Sequence, residues 1–365
     1  MTSRRSSPAL WRTELLRAGP SSLSGAAQAL LAALLFGAST PASKWLLATL
    51  TPLQLAGLLY LGAALGTALP FARERRGGSL RAMGRRNALR LFGAIVLGGI
   101  VGPVLLLVGL RASLAGSVSL LLNLELAATA VLGVLLFREP LGSKGWLGVT
   151  GVVLAGALVS GSAGWPGIVA ALWVVGACVC WGLDNHLTAR IDGITPASST
   201  FVKGAIAGIT NLALGLAMAP FEASAATAAA GLAVGALCYG ASVALYIASA
   251  QQLGATRAQA LFAVAPFAGA ALAWAALGEP ISAAQLAGAA VLVAAVAAVV
   301  RSQHEHEHVH GEAEHVHSHR HDDDHHHHTH LGLVPDAPHS HWHRHESHAH
   351  AHPHWPDLHH RHQHR

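Results

Sequence analysis

Between residues 24 and 300 the chain alternates long apolar runs with short polar interruptions. Each run is close to the roughly 20 residues that a helix needs to cross a bilayer core about 30 Å thick. The runs are apolar all round rather than on one face, which marks helices whose solvent is lipid. Read this way, helices are expected near residues 24–48, 52–71, 89–110, 113–137 and 143–161, and again near 166–188, 197–219, 225–249, 257–277 and 281–300. The predicted fold is an all-α integral membrane protein of about ten transmembrane helices.

Composition supports this and divides the chain. Of 365 residues, 52% are hydrophobic and 11% charged, too few charges to cover a soluble domain of this length. There are 26 histidines, and all but His186 lie beyond Arg301. Four regions follow: a cytoplasmic segment 1–23, helical halves 24–161 and 162–301, and a His-rich tail 302–365 expected to be disordered. The first apolar run reads as a retained span rather than a cleaved leader. Cys178, Cys180 and Cys238 fall in apolar runs, where small polarizable side chains pack.

Basic residues set the orientation, because short cytoplasmic loops collect Lys and Arg. With the N-terminus inside, the inner segments hold Arg4, Arg5, Arg12 and Arg17, then Arg73 through Arg90, then Arg138, Lys144, Arg190, Arg257 and Arg301. The outer segments hold only Arg111. Both termini are therefore expected in the cytoplasm. The net charge of +5 reflects these anchors, and with no aromatic-basic motif beside them nucleic acid is excluded as a partner.

The two helical halves resemble one another. Arg138-Glu139-Pro140-Leu141 closes the fourth run and Gly278-Glu279-Pro280-Ile281 the ninth, in a register that Gly148 and Gly288 also keep. Phe36-Gly37 in the first run answers Trp181-Gly182 in the sixth. Five helices per repeat is odd, so the second copy must cross in the opposite sense. Inverted repeats of this kind place a solute site near the midplane between the halves. These motifs and the ten-run pattern resemble the EamA family of the drug/metabolite transporter superfamily over roughly residues 24–300. The resemblance implies secondary transport, often export, of small organic solutes. One departure lies in the fourth run, where Leu126 stands at the position of Pro266.

Ionisable groups within spans are costly and tend to face a cavity or a partner. Glu125, beside Asn123 in the middle of the fourth run, is the candidate for proton or cation coupling. Asp184, Asn185 and His186 interrupt the sixth run and could hydrogen-bond a solute. Lys203 and Asn211 share one face of the seventh helix. Lys44 lies near the outer end of the first, where its amine either snorkels to the headgroups or meets solute. Glu139 and Glu279 are expected to cap the helices that begin at Pro140 and Pro280.

The tail alternates His with other residues at His304, His306 and His308, clusters His325, His326, His327 and His328 after three aspartates, and ends with His359, His360 and His362. Imidazole at this density binds Zn, Ni, Co or Cu. No cofactor is required. The chain has no Walker loop, nucleophile elbow or HExxH helix, and is not expected to be an enzyme. The partners implied are the lipid bilayer, a small-molecule substrate, divalent metal ions through the tail, and a second copy of the chain in a homodimer. The leading function is an ion-coupled or exchanging exporter of an organic solute in a bacterial inner membrane. Its rivals are a divalent-metal transporter with a collecting tail, and a membrane-anchored metal sensor or store.

The charge asymmetry makes a direct prediction. Topology reporters fused after Arg76 and after Arg301 should both report the cytoplasm, and one fused near Gly164 the outside; a cytoplasmic signal at Gly164 would overturn the ten-span arrangement.

Overall fold

The computed structural model describes residues 20–74, 84–137, 141–161, 164–191, 196–253 and 261–300, and the strands within 304–354. Up to residue 300 the described elements are helical and follow the ten apolar runs. They are α1 Pro20–Leu46, α2 Pro52–Glu74, α3 Arg85–Arg111, α4 Ala115–Phe137 and α5 Ser143–Gly161 in the first half. The second half contains α6 Gly164–Thr188, α7 Pro196–Met218, α8 starting at Ala225–Val234 and ending at Ser242–Leu253, α9 Ala265–Leu277 and α10 Ala283–Val300. Among the described residues eight helices are long and apolar enough to cross a membrane, and two shorter apolar helices, in α9 and α10, complete the pattern.

The repeat is written into the backbone as well as the sequence. α3 is interrupted by a π-helical segment, Ile95–Val101, and α8 by another, Gly235–Ala241, at corresponding positions of the two halves. α4 breaks at Leu122-Asn123, and α9 is preceded by a similar turn at Ala263-Val264. Pro266, without an N–H, accounts for the second break. In the first, Leu126 stands in place of proline, and Asn123 supplies the interruption by donating its side-chain amide to the Leu120 carbonyl at 3.0 Å.

The halves are not separate bundles. α2 packs along α7 and the π segment of α8, α1 along α8 and α9, and α6 along α3 and α4. Between apolar helices in lipid, close backbone approach replaces the hydrophobic effect as the attraction. Gly62 and Gly235 provide that approach: a Cβ on Gly62 would lie 2.2 Å from the Leu232 carbonyl oxygen, and one on Gly235 2.1 Å from that of Leu59. The two aromatic-Gly motifs work alike. Gly37 of α1 abuts Ala265 and Gly269 of α9, and Gly182 of α6 abuts Ala128 and Thr129 of α4. In each case a glycine in the first helix of one repeat closes on the fourth helix of the other.

Beyond the membrane helices the tail backbone forms two antiparallel ribbons. β1 His304–His310 pairs with β4 His348–His354, and β2 Ala313–His319 with β3 His339–His345. The sequence alone led us to expect no fixed structure here. Alternation of His with other residues has the period of a strand, and the backbone pairs accordingly. His325, His326, His327, His328, His359, His360 and His362 lie outside the described residues.

Candidate solute and coupling-ion site

The site begins with a backbone defect. Gly98 is the midpoint of Arg85–Arg111 and sits within its π segment, where carbonyls leave the regular helical ladder. In hydrocarbon such a carbonyl must find another donor. The Gly98 carbonyl accepts from the Tyr60 hydroxyl of α2 at 2.5 Å and from Trp181 Nε1 of α6 at 3.0 Å. The Gly99 carbonyl accepts from Asn211 Nδ2 of α7 at 3.0 Å. Three other helices are thus anchored to one turn of α3.

That turn also seats a charge. A Cβ on Gly98 would meet Asp184 Oδ2 at 2.0 Å, so only glycine admits this carboxylate. Asp184 is 7% exposed, and Lys203 Nζ donates to its Oδ1 at 2.8 Å and to its Oδ2 at 2.5 Å, with Thr188 Oγ1 adding a bond to Oδ1 at 2.9 Å. Asp184 and Lys203, separate candidates in the sequence, form one ion pair.

Glu125 lies beside this pair, within electrostatic reach of both members. The break in α4 restarts the helix at Leu124, so Glu125 falls in the first turn of Leu124–Phe137, where exposed N–H groups favour a carboxylate by roughly 0.3–1 kcal/mol. Its Oε1 accepts from Asn185 Nδ2 at 2.9 Å, and the same amide reaches Thr129 Oγ1 at 3.3 Å. Asn185 is exposed and Glu125 half-buried. Two polar pairs, one ionic and one between carboxylate and amide, therefore meet where the halves join, with Glu125 at the middle of α4 and Asp184 and Asn185 in the last turn of α6.

Other candidates are placed elsewhere or have local partners. His186 turns from Asp184 to put Nε2 2.9 Å from the Thr129 carbonyl, its ring against Phe137. Asn123 and Asn211 are buried and spend their amides on the interrupted helices. Lys44 lies apart from these groups. Its Nζ donates to the carbonyls of Leu110, Arg111 and Ser113 at 2.8, 3.2 and 2.6 Å, tying α1 to the end of α3. Of His304, His306 and His308 the structure describes the backbone only.

The expected role of Glu279 is corrected. α10 starts at Ala283, where Ser282 and Gln285 form a reciprocal capping box, with Ser282 N–H donating to Gln285 Oε1 at 2.8 Å and Gln285 N–H to Ser282 Oγ at 3.1 Å. Glu279 instead reaches into the first half, accepting from the N–H groups of Ala115 and Gly116 at 2.6 and 2.8 Å. The left-handed Gly278 (φ 65°) ends α9 and lets the chain turn toward them. Glu139 lies outside the described residues.

Sequence reasoning passed over Tyr60, Thr129, Thr188 and Gly98. Tyr60 did carry a signal: a tyrosine in the middle of a span needs a partner for its hydroxyl, because tyrosines otherwise favour the membrane interface.

Comparison with known proteins agrees with the two-repeat fold. The EamA-like transporter family model matches residues 23–161 and 168–301, one repeat in each half. An uncharacterized transporter from Methanothermobacter thermautotrophicus (strain Delta H) is 28% identical, covering 69% of this chain and 78% of its own. A crystal structure of a protein superposes with a TM-score of 0.54 at 14% identity over 76% of this chain and 97% of the other, a likeness of fold alone. A fold of two five-helix repeats with a polar centre between them is that of a multi-pass membrane transporter. The chain belongs to the EamA-like transporter family.

The Asp184 and Lys203 side chains are 9% and 17% exposed, so leaving either alone should cost more than removing both. Lys203→Gln and Asp184→Asn should each destabilise the protein by about 3–5 kcal/mol, and the double variant by clearly less than either. Thermal unfolding of the purified variants checks this; additive losses would contradict a directly coupled pair.

Proposed function

We propose that the chain is a secondary active exporter of a small organic solute, working by alternating access and coupled to a cation gradient through Glu125. The supporting observation is the joint polar centre: Glu125 of the first repeat, at the middle of α4, meets Asn185 of the second, in the last turn of α6, beside the Asp184–Lys203 pair. Inverted repeats that rock against one another would expose such a centre to either side in turn.

In this reading the structure is inward-facing. The outer end is tied by Glu279 on the start of α4, by Lys44 on the end of α3, and by Gln54, whose amide donates to Ala219 and Pro220 beyond α7 at 3.1 and 3.2 Å. These bonds link outer ends that must separate for the site to open outward. Asn185, by contrast, lies exposed toward the end of α6 expected in the cytoplasm. We place the protein in a bacterial inner membrane with both termini in the cytoplasm, and its work involves no bond-making chemistry. A metal cargo is disfavoured because, among the described residues, no group of three or more His, Cys, Asp or Glu could hold a metal ion. Metal binding then belongs to the tail, as buffering or sensing rather than transport.

Glu125→Gln keeps the size and the amide contact while removing the titratable group. In proteoliposomes holding the purified chain, it should abolish accumulation driven by a pH gradient and leave solute exchange at equal pH intact. Uphill transport by Glu125→Gln with unchanged pH dependence would show that the carboxyl is structural.

A further inference from the structure

The tail carries a pattern that the membrane helices leave unused. In both of its ribbons the register sets histidine against histidine. Along β1 and β4 this holds four times, from His304 opposite His354 to His310 opposite His348, and along β2 and β3 three times, from His315 opposite His343 to His319 opposite His339. The ribbons share one hairpin register, because Ala313 lies opposite His345, three residues on from the His310–His348 pair in each strand. Strand residues two apart share a face, so each ribbon gathers its paired histidines on one face. A slip of one residue would set the β1 histidines against Pro353, Ala351 and Ala349 instead. The opposite faces bring no acids together: Glu305 and Glu307 lie opposite Pro353 and Ala351, and Glu314 opposite Arg344.

This spacing suits a metal ion. Directly opposed strand residues hold their β-carbons about 4.5–5.5 Å apart, and same-face neighbours along a strand follow at roughly 7 Å. Two consecutive histidine pairs therefore set four β-carbons at the corners of a rectangle of about 5 by 7 Å. From such a base four imidazoles, each coming within about 2.0–2.1 Å of the ion, can close a tetrahedral shell of the zinc type. The backbone gains in return. A lone two-stranded ribbon is marginal in water, and an ion shared between its strands adds its binding free energy to the paired form.

We propose that the ribbons are built zinc-type sites, in which two consecutive cross-strand histidine pairs take one divalent ion and the ion locks the antiparallel register. Four pairs in β1–β4 make two such sites, and three in β2–β3 make one with a pair left over, so the ribbons hold three ions. The inference rests on the reading of the tail as the metal-binding part of the chain and is independent of the transport reading.

Co²⁺ is the first probe, because it replaces zinc and absorbs strongly in the visible only in a tetrahedral shell. Titrated into the metal-free, purified full chain in lipid nanodiscs, it should give a tetrahedral band that saturates near three ions per chain and is bleached by Zn²⁺. A variant with the residues of each strand reordered so that the histidines run consecutively has the same composition without the alternation. It should lose the band by about fivefold or more. The second probe is register. In a chain with Cys178, Cys180 and Cys238 replaced by alanine, nitroxides attached through Val309→Cys and Ala349→Cys, which lie opposite one another, should show dipolar broadening that Zn²⁺ increases. An offset pair, Val309→Cys with Pro353→Cys, should broaden clearly less. Tight Zn²⁺ binding that is indifferent to the order of the histidines, no tetrahedral band, or equal broadening of the two nitroxide pairs would overturn the ribbon sites and leave the tail a plain metal binder. No binding of either metal would overturn both.

Discussion

Everything in the centre of this protein depends on two backbone carbonyls that leave the ladder of a membrane helix. A carbonyl unsatisfied in hydrocarbon costs several kcal/mol. At Gly98 and Gly99 of α3 that cost is met by Tyr60, Trp181 and Asn211, from α2, α6 and α7. The same glycine admits the Asp184 carboxylate, and with it Lys203. One local departure from α-helical geometry therefore fixes the rotation of three other helices and positions the ion pair. The corresponding segment of α8 carries Tyr239 at the repeat position of Gly99, so the inverted repeat yields two similar backbones with different side chains on them.

Most of the fold was legible in the sequence because apolar length is a strong signal in lipid. The ten runs, the repeat and the family resemblance all follow from patterns spread over many residues. The motif glycines were legible as motifs, while their reason, the closing of the first helix of one repeat on the fourth helix of the other, needed coordinates. The site was half legible. Glu125, Asp184 and Lys203 stand out as charges within spans, but sequence has no way to pair Asp184 with Lys203 or to give Lys44 three carbonyls at the end of α3. Glu279 was misassigned for a similar reason. A carboxylate before a proline reads as a local cap, whereas its true donors lie more than half the apolar region away in the chain.

The outer-face bonds give the reading its directionality. Glu279, Lys44 and Gln54 each join elements that are far apart in sequence, and each satisfies helix-end groups left without partners within their own helices. Opening the outer side would return those groups to water, where they are readily solvated. The cost of breaking them is therefore modest, as the alternating-access reading proposed above requires.

The central claim is that the Glu125–Asn185 centre faces one side while the outer bonds hold and the other when they break. A single cysteine at Asn185, in a chain whose Cys178, Cys180 and Cys238 are replaced by alanine, can be probed from either face of sealed vesicles with a membrane-impermeant thiol reagent. Labelling should come from the cytoplasmic face when Glu279 is intact and shift toward the outer face with Glu279→Gln. Equal labelling from both faces, or a cytoplasmic preference untouched by Glu279→Gln, would contradict the account.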